Sequence, residues 1–163
     1  MKKILYLLAA IMLPLTFTSC NSDDDLPNVS INMEISGATN VDNTLYVVKG
    51  TTLHIDSVDI KDLNGKGAMI GEVTYFFDYI NAGTAFESPF SFSINTAGLP
   101  AGNHLLQARM SIYAVNSSVA TGWVERDVVI VDSPEDIPGG SVSTQSVVIP
   151  VQVASADATT SRH

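Results

Sequence analysis

The sequence predicts an all-β protein, a two-layer β-sandwich of about seven strands behind a leader segment. Apolar and polar residues alternate with period two over short stretches, the mark of strands with one face buried. Clusters of Gly, Asn, Asp and Pro separate these stretches at the spacing of sandwich strands. Beyond the leader no stretch carries a helical period. A sandwich buries the inward faces of two sheets against each other, so each strand needs one apolar face. A closed barrel is the alternative that the same pattern leaves open.

Residues 29–35 alternate cleanly and form the first strand. Residues 45–48 and 52–60 follow, split by Lys49-Gly50. In the second run Leu53 and Ile55 share a face, whereas Val58 and Ile60 have the opposite parity, so a bulge near Ser57 is needed to bring all four inward. Asp62-Leu63-Asn64-Gly65 makes the next turn. Within 70–79, Val73, Tyr75 and Phe77 lie on one face. Phe90, Phe92 and Ile94 then alternate with Ser91, Ser93 and Asn95, and Leu106, Ala108, Met110 and Ile112 with Gln107, Arg109 and Ser111. The last body strand is 123–131. Residues 132–163 open with a linker composition, Asp132-Ser133-Pro134-Glu135-Asp136-Ile137-Pro138-Gly139-Gly140. They also hold an apolar run, 147–153, interrupted by Pro150. That run is an extra edge strand of its own sandwich, a strand donated to a neighbour, or a tail.

The chain has 163 residues, a formal charge of −9 and a single cysteine. Acidity of this degree argues against nucleic acid and against a polybasic grip on anionic lipid. Lys2 and Lys3 precede an apolar stretch at 4–15, too short to span a bilayer, and Thr18-Ser19 place small residues before Cys20. This resembles a bacterial lipoprotein signal, with Phe17 where that family usually has leucine. The resemblance implies that residues 1–19 are a cleaved signal peptide and that Cys20 carries the lipid. Residues 20–28 then form an acidic tether, and the membrane becomes a partner through the anchor. Each buried methylene of an acyl chain contributes about 0.8 kcal/mol, so two or three chains hold a protein on a membrane almost permanently. The alternatives are a secreted protein with Cys20 as a free thiol and an uncleaved membrane helix, the latter disfavoured by Pro14. After the cysteine, Asn21-Ser22-Asp23-Asp24-Asp25 resembles the acidic export signal of Bacteroidota lipoproteins, in which Ser22, Asp23, Asp24 and Asp25 direct the protein to the outer face of the outer membrane. The plainer alternative is that the aspartates solvate the tether.

Three further segments carry a second resemblance. They are Val73-Thr74-Tyr75-Phe76-Phe77-Asp78, Ser88-Pro89-Phe90-Ser91-Phe92, and Leu99-Pro100-Ala101-Gly102-Asn103-His104-Leu105-Leu106. The stretch from about 50 to 131 resembles a bacterial immunoglobulin-like domain: an aromatic strand ending in aspartate, a Pro-Phe strand, and a Leu-x-x-Gly-x-His-x-Leu corner. It departs from that pattern after Asp78, where Tyr79-Ile80-Asn81 replaces a glycine turn, and at Asn116-Ser117-Ser118. The resemblance implies an immunoglobulin-like sandwich over 29–131, with the His104 ring packed inward and bonded to loop backbone. Such modules serve as spacers, binders and enzyme accessories alike.

Little in the body points to catalysis. His54, His104 and His163 lack metal-ligand spacing, and no acid or cysteine stands near His104 in the sequence. Lys66 and Val73 occupy positions where an EF-hand-type calcium loop needs oxygen ligands, which excludes that site. A weaker site from Asp59, Asp62 and Asn64 competes with ordinary turn formation by the same residues. Glu72, Glu87 and Glu125 are not paired as glycosidase carboxylates by any spacing. No enzyme activity and no cofactor are expected. By parity Phe76, Tyr113 and Trp123 point outward; brought together, they would form a platform for sugar rings or a protein partner. Otherwise Trp123 caps the sandwich end, and a loop or the 147–153 run covers Phe76. The expectation is an outer-membrane surface lipoprotein with a non-catalytic binding or spacer module. The alternatives are a filament accessory subunit and a glycan-binding lipoprotein of a carbohydrate-uptake system.

Overall fold

A computed structural model describes residues 26–139. Nine strands form two sheets. They are β1 (Val29–Ser36), β2 (Thr39–Val41), β3 (Thr44–Val48), β4 (Thr52–Asp62), β5 (Met69–Phe77), β6 (Ile80–Ala85), β7 (Phe92–Asn95), β8 (Gly102–Tyr113) and β9 (Ala120–Val131). One sheet has the order β1-β4-β7 and the other β2-β3-β9-β8-β5-β6. All pairings are antiparallel except β3 with β9. The result is a β-sandwich, one of the two architectures the alternation allows, with the immunoglobulin-like character that the resemblance implies. It has two strands more than the expected seven, β2 and β6. Neither has the pattern of a half-buried strand: β2 is three residues long, and no residue of β6 is buried. Both lie at sheet edges, where pairing on one side suffices and alternation is not required.

Alternation elsewhere places the core. Ile31 and Met33 of β1, Leu53, Ile55 and Val58 of β4, Val73 and Tyr75 of β5, Leu106 to Ile112 in even steps of β8, and Val124, Val128 and Ile130 of β9 are all 0–1% exposed. The β4 parity switch is resolved as expected. Glu34 faces Ser57 and Ile35 faces Ile55, so Asp56 is left over as a bulge, which turns Val58 inward. Two more bulges fall at Gly71, between Ile70 and Glu72, and at Ala82, opposite the Tyr75–Phe76 step.

Two buried polar side chains stand out, of which the first ties the layers and the second acts within the six-stranded sheet. Tyr75 is 0% exposed, stacks on Phe92 with ring centroids 4.8 Å apart, and donates its hydroxyl to the Phe90 carbonyl. Its bond therefore joins β5 to the segment leading into β7 in the opposite sheet, and burial pushes the phenol pKa well up. Arg126 is less expected: by parity it points inward on β9 and is 4% exposed. It donates through Nη1 to Asn43 in the β2–β3 turn, while its Nε–H has no partner.

Gly122 lets the sheets approach. A Cβ there would lie 2.9 Å from both Ile31 Cδ1 of one sheet and Ile112 Cδ1 of the other. Gly122→Val should therefore lower stability by about 1–3 kcal/mol through overpacking. Urea unfolding reads this as a lower midpoint with an unchanged slope; an unshifted midpoint would show that both isoleucines yield freely.

Candidate functional site

The outer face of the six-stranded sheet carries the site. β5, β8 and β9 are internal strands there, so their backbone groups are spent on ladder bonds and only side chains face outward. Register brings the residues together: Phe76 faces Gln107, Gln107 faces Glu125, and Arg109 faces Trp123. The Arg109 guanidinium lies 5.4 Å over the Phe76 ring, a cation–π contact that orients both. Gln107 Nε2 donates to Glu125 Oε1 at 2.6 Å. These five residues line an open depression of about 370 Å³ in which Trp123 is 44% exposed. Two aromatic rings, a cation, an amide and a carboxylate thus stand side by side on a rigid surface.

Of the three outward aromatics expected to meet, Phe76 and Trp123 do and Tyr113 does not. Tyr113 is on the same face of β8 but four residues beyond Arg109, about 13 Å along the strand. Its ring lies over the Gly71 bulge, where a Cβ would stand 2.4 Å from Tyr113 Cε2. Together with Met69 and Val115 it makes a separate apolar patch. Arg109 and Gln107 escaped notice as site residues, and Glu125 was weighed only as a glycosidase carboxylate, because a strand sequence shows parity but not its neighbours. Cys20, Ser22, Asp23, Asp24 and Asp25, and the 147–153 run, lie outside the described residues.

A charged clasp ends the β5–β8 pair. Asp78 and Tyr79 form a two-residue hairpin turn with φ of 50° and 65°, a conformation that favours Asn-Gly. Asp78 Oδ2 meets His104 Nδ1 at 2.7 Å, and Oδ1 accepts the Leu105 N–H at 2.9 Å. His104 Nε2 lies 2.9 Å from the Pro100 carbonyl, and the ring stacks on Phe77 at 5.2 Å. The ring is packed inward and bonded to loop backbone, as the resemblance implies. Its acid partner, 26 residues away, is the correction to the sequence analysis. Both ring nitrogens face acceptors, so the imidazolium form satisfies both. Burial opposes that charge, but the bonds to Asp78 and Pro100 and the Asp78 charge outweigh it, and the His104 pKa is raised. Burial likewise opposes the Asp78 carboxylate, but His104 and the Leu105 N–H prevail, and its pKa is lowered.

Asp62, offered above as a weak calcium ligand, is already engaged. Its Oδ1 accepts the N–H groups of Asn64 and Gly65, and its Oδ2 those of Gly67 and Ala68, at 2.6–3.2 Å. The carboxylate shapes the loop, and turn formation explains this composition. Among the described residues no group of three or more His, Cys, Asp or Glu side chains is placed to hold a metal ion.

Fold and site together define a β-sandwich module that presents a side-chain cradle on one sheet face. No family model matches the chain, and no curated protein matches it significantly. Among solved structures, a chain described as "Structures of Clostridium thermocellum CbhA fibronectin(III)-like modules" is similar, with a TM-score of 0.38 and 16% identity, covering 61% of this chain and 94% of that one.

The clasp makes stability depend on pH. The raised His104 pKa contributes stability that is complete below its unfolded value of 6.5 and is lost as pH rises through the folded value. The lowered Asp78 pKa contributes stability that is complete above 3.8 and is lost as pH falls through the folded value. His104→Gln should therefore cost about 1–3 kcal/mol near pH 5, between those limits, and clearly less at pH 9. Thermal unfolding of both proteins across that range measures the difference; a penalty independent of pH would refute the charged clasp.

Proposed function

We propose that this protein is a lipid-anchored module of the bacterial outer-membrane surface, non-catalytic, whose sandwich binds a ligand through the outer face of β5, β8 and β9. The observation that carries this is the convergence of Trp123, Arg109 and Phe76 from three internal strands into one exposed cradle. An exposed tryptophan beside a cation held over a second ring offers a ligand a stacking face and a charge side by side. Anchoring at Cys20 and export through Ser22, Asp23, Asp24 and Asp25 set this face on the cell exterior. A photo-crosslinker at Ser111, beside the cradle, should give an adduct on intact cells of the native host. One at Asp59, on the other sheet, should not. Phe76→Ala with Trp123→Ala should remove the adduct. Mass spectrometry of the same material should find fatty acids on Cys20, and an unmodified Cys20 would overturn the anchoring.

A second role, strand addition in a surface assembly, is favoured by the outer edge of β6, which pairs with no further strand among the described residues. Residues 79–86 carry neither charge nor proline, and Tyr79, Ile80 and Phe86 are 68–75% exposed. Natural edges are usually blunted by charge, proline or a bulge; this one has the bulge at Ala82 but neither charge nor proline, which leaves it open to a further strand. Asn81→Lys with Thr84→Lys should abolish any cell-surface oligomer seen by cross-linking; oligomers that persist would exclude this edge as the route.

A further inference from the structure

The cradle does not end at Glu125. β9 presents Trp123, Glu125, Asp127 and Val129 in succession on its outer face, each pair about 6.7 Å apart. Beyond Glu125 a second depression, of about 400 Å³, is lined by Asp127, Asn103, Thr44 and Tyr46, and Tyr46 pairs with Val129 in the β3–β9 register. Asp127 of the second depression follows Glu125 of the first on the same face, so the two form one strip. From Trp123 to Val129 it runs about 20 Å. Aromatic rings stand at both ends, Trp123 with Phe76 at one and Tyr46 at the other. Between them lie the polar tips of Gln107, Glu125, Asp127 and Asn103.

We propose that this strip binds a neutral oligosaccharide lying along β9, with ring faces on Trp123 and Tyr46 and hydroxyls on the amides and carboxylates between. The proposal rests on the binding role assigned to the cradle and names its ligand class. Three properties of the strip select that class. Glu125 and Asp127 lie along its floor, and Arg109, held over Phe76, stands in the depression of Glu125 and not in that of Asp127. A nucleic acid, polyuronate or sulfated chain would set its charges against these two carboxylates. The strip lies on internal strands whose N–H and C=O groups are already paired, so an extended peptide finds no ladder to join. The second depression is polar, with Thr44, Asn103 and Asp127 around Tyr46, groups that suit sugar hydroxyls. Rings to stack on, with donors and acceptors spaced between them, suit a molecule that has apolar ring faces and a hydroxyl-bearing rim.

The test is titration calorimetry on the full chain in detergent, with neutral gluco-, manno- and xylo-oligosaccharides of two to six rings and oligogalacturonates of equal length. At least one neutral series should bind, its affinity rising at least tenfold from the disaccharide to the hexasaccharide, and the uronates should not. Trp123→Ala should abolish binding. Tyr46→Ala should reduce the hexasaccharide to disaccharide affinity, and Tyr46→Phe, which keeps the ring, should restore it. Failure of every neutral series, preference for the uronates, or affinity indifferent to length and to Tyr46 would overturn the proposal. A Trp123-dependent adduct from Ser111 on intact cells would then still uphold the cradle with another ligand, whereas loss of both would remove the binding role itself.

Discussion

The register between β5 and β8 is the constraint on which the rest of this molecule depends. Side chains alternate with period two, so a slip of one residue would exchange Phe76 for Tyr75 at the surface and empty the cradle. The pair is pinned at both ends. At one end Asp78 clasps His104 and the Leu105 N–H; at the other Tyr113 covers the bulge at Gly71, a place only a residue without Cβ leaves open. Between these ends Phe76 is held across from Gln107 and beneath Arg109, and β9 adds Trp123 and Glu125 by its own pairing with β8. Stability and site geometry share one ladder.

A single cysteine in the chain means that no disulfide joins the two sheets. Their union falls to apolar burial and to the Tyr75 bolt, whose ring packs with Phe92 and whose hydroxyl reaches the Phe90 carbonyl. Gly122 leaves the space that Ile31 of one sheet and Ile112 of the other occupy at the centre. Against this economy stands Arg126, a guanidinium buried on the core face with an unpaired Nε–H. Burial works against its charge, and the neighbouring Asp127 carboxylate favours it. A buried charge seldom adds stability over an apolar residue of similar size, but its bond to Asn43 ties the β2–β3 turn to β9.

The geometry of the site suits the binding role proposed for it. The site is shallow, its groups come from three strands of one rigid sheet, and its carboxylate Glu125 is occupied by Gln107. Strand-borne side chains hold their positions more closely than loop-borne ones, which suits selective binding with little ordering cost. The outer edge of β6, unpaired among the described residues, is the second proposed means of contact, through backbone rather than side chains.

Period-two alternation, read from the sequence alone, determined the all-β class, the seven half-buried strands, the β4 bulge and the outward aim of Phe76, Tyr113 and Trp123. Each follows from chain-local parity, because an apolar face must be removed from water wherever the strand goes. Edge strands β2 and β6 were illegible for the converse reason: where burial is not required, no pattern records the strand. The two separate sheets of the tertiary structure decided for the sandwich over a closed barrel. Only the tertiary structure decided which outward residues meet. Asp78 and His104 are 26 residues apart, and Phe76, Arg109 and Trp123 lie on three strands. Their proximity is set by strand order and register, physical quantities that exist between strands and leave no trace within any one of them.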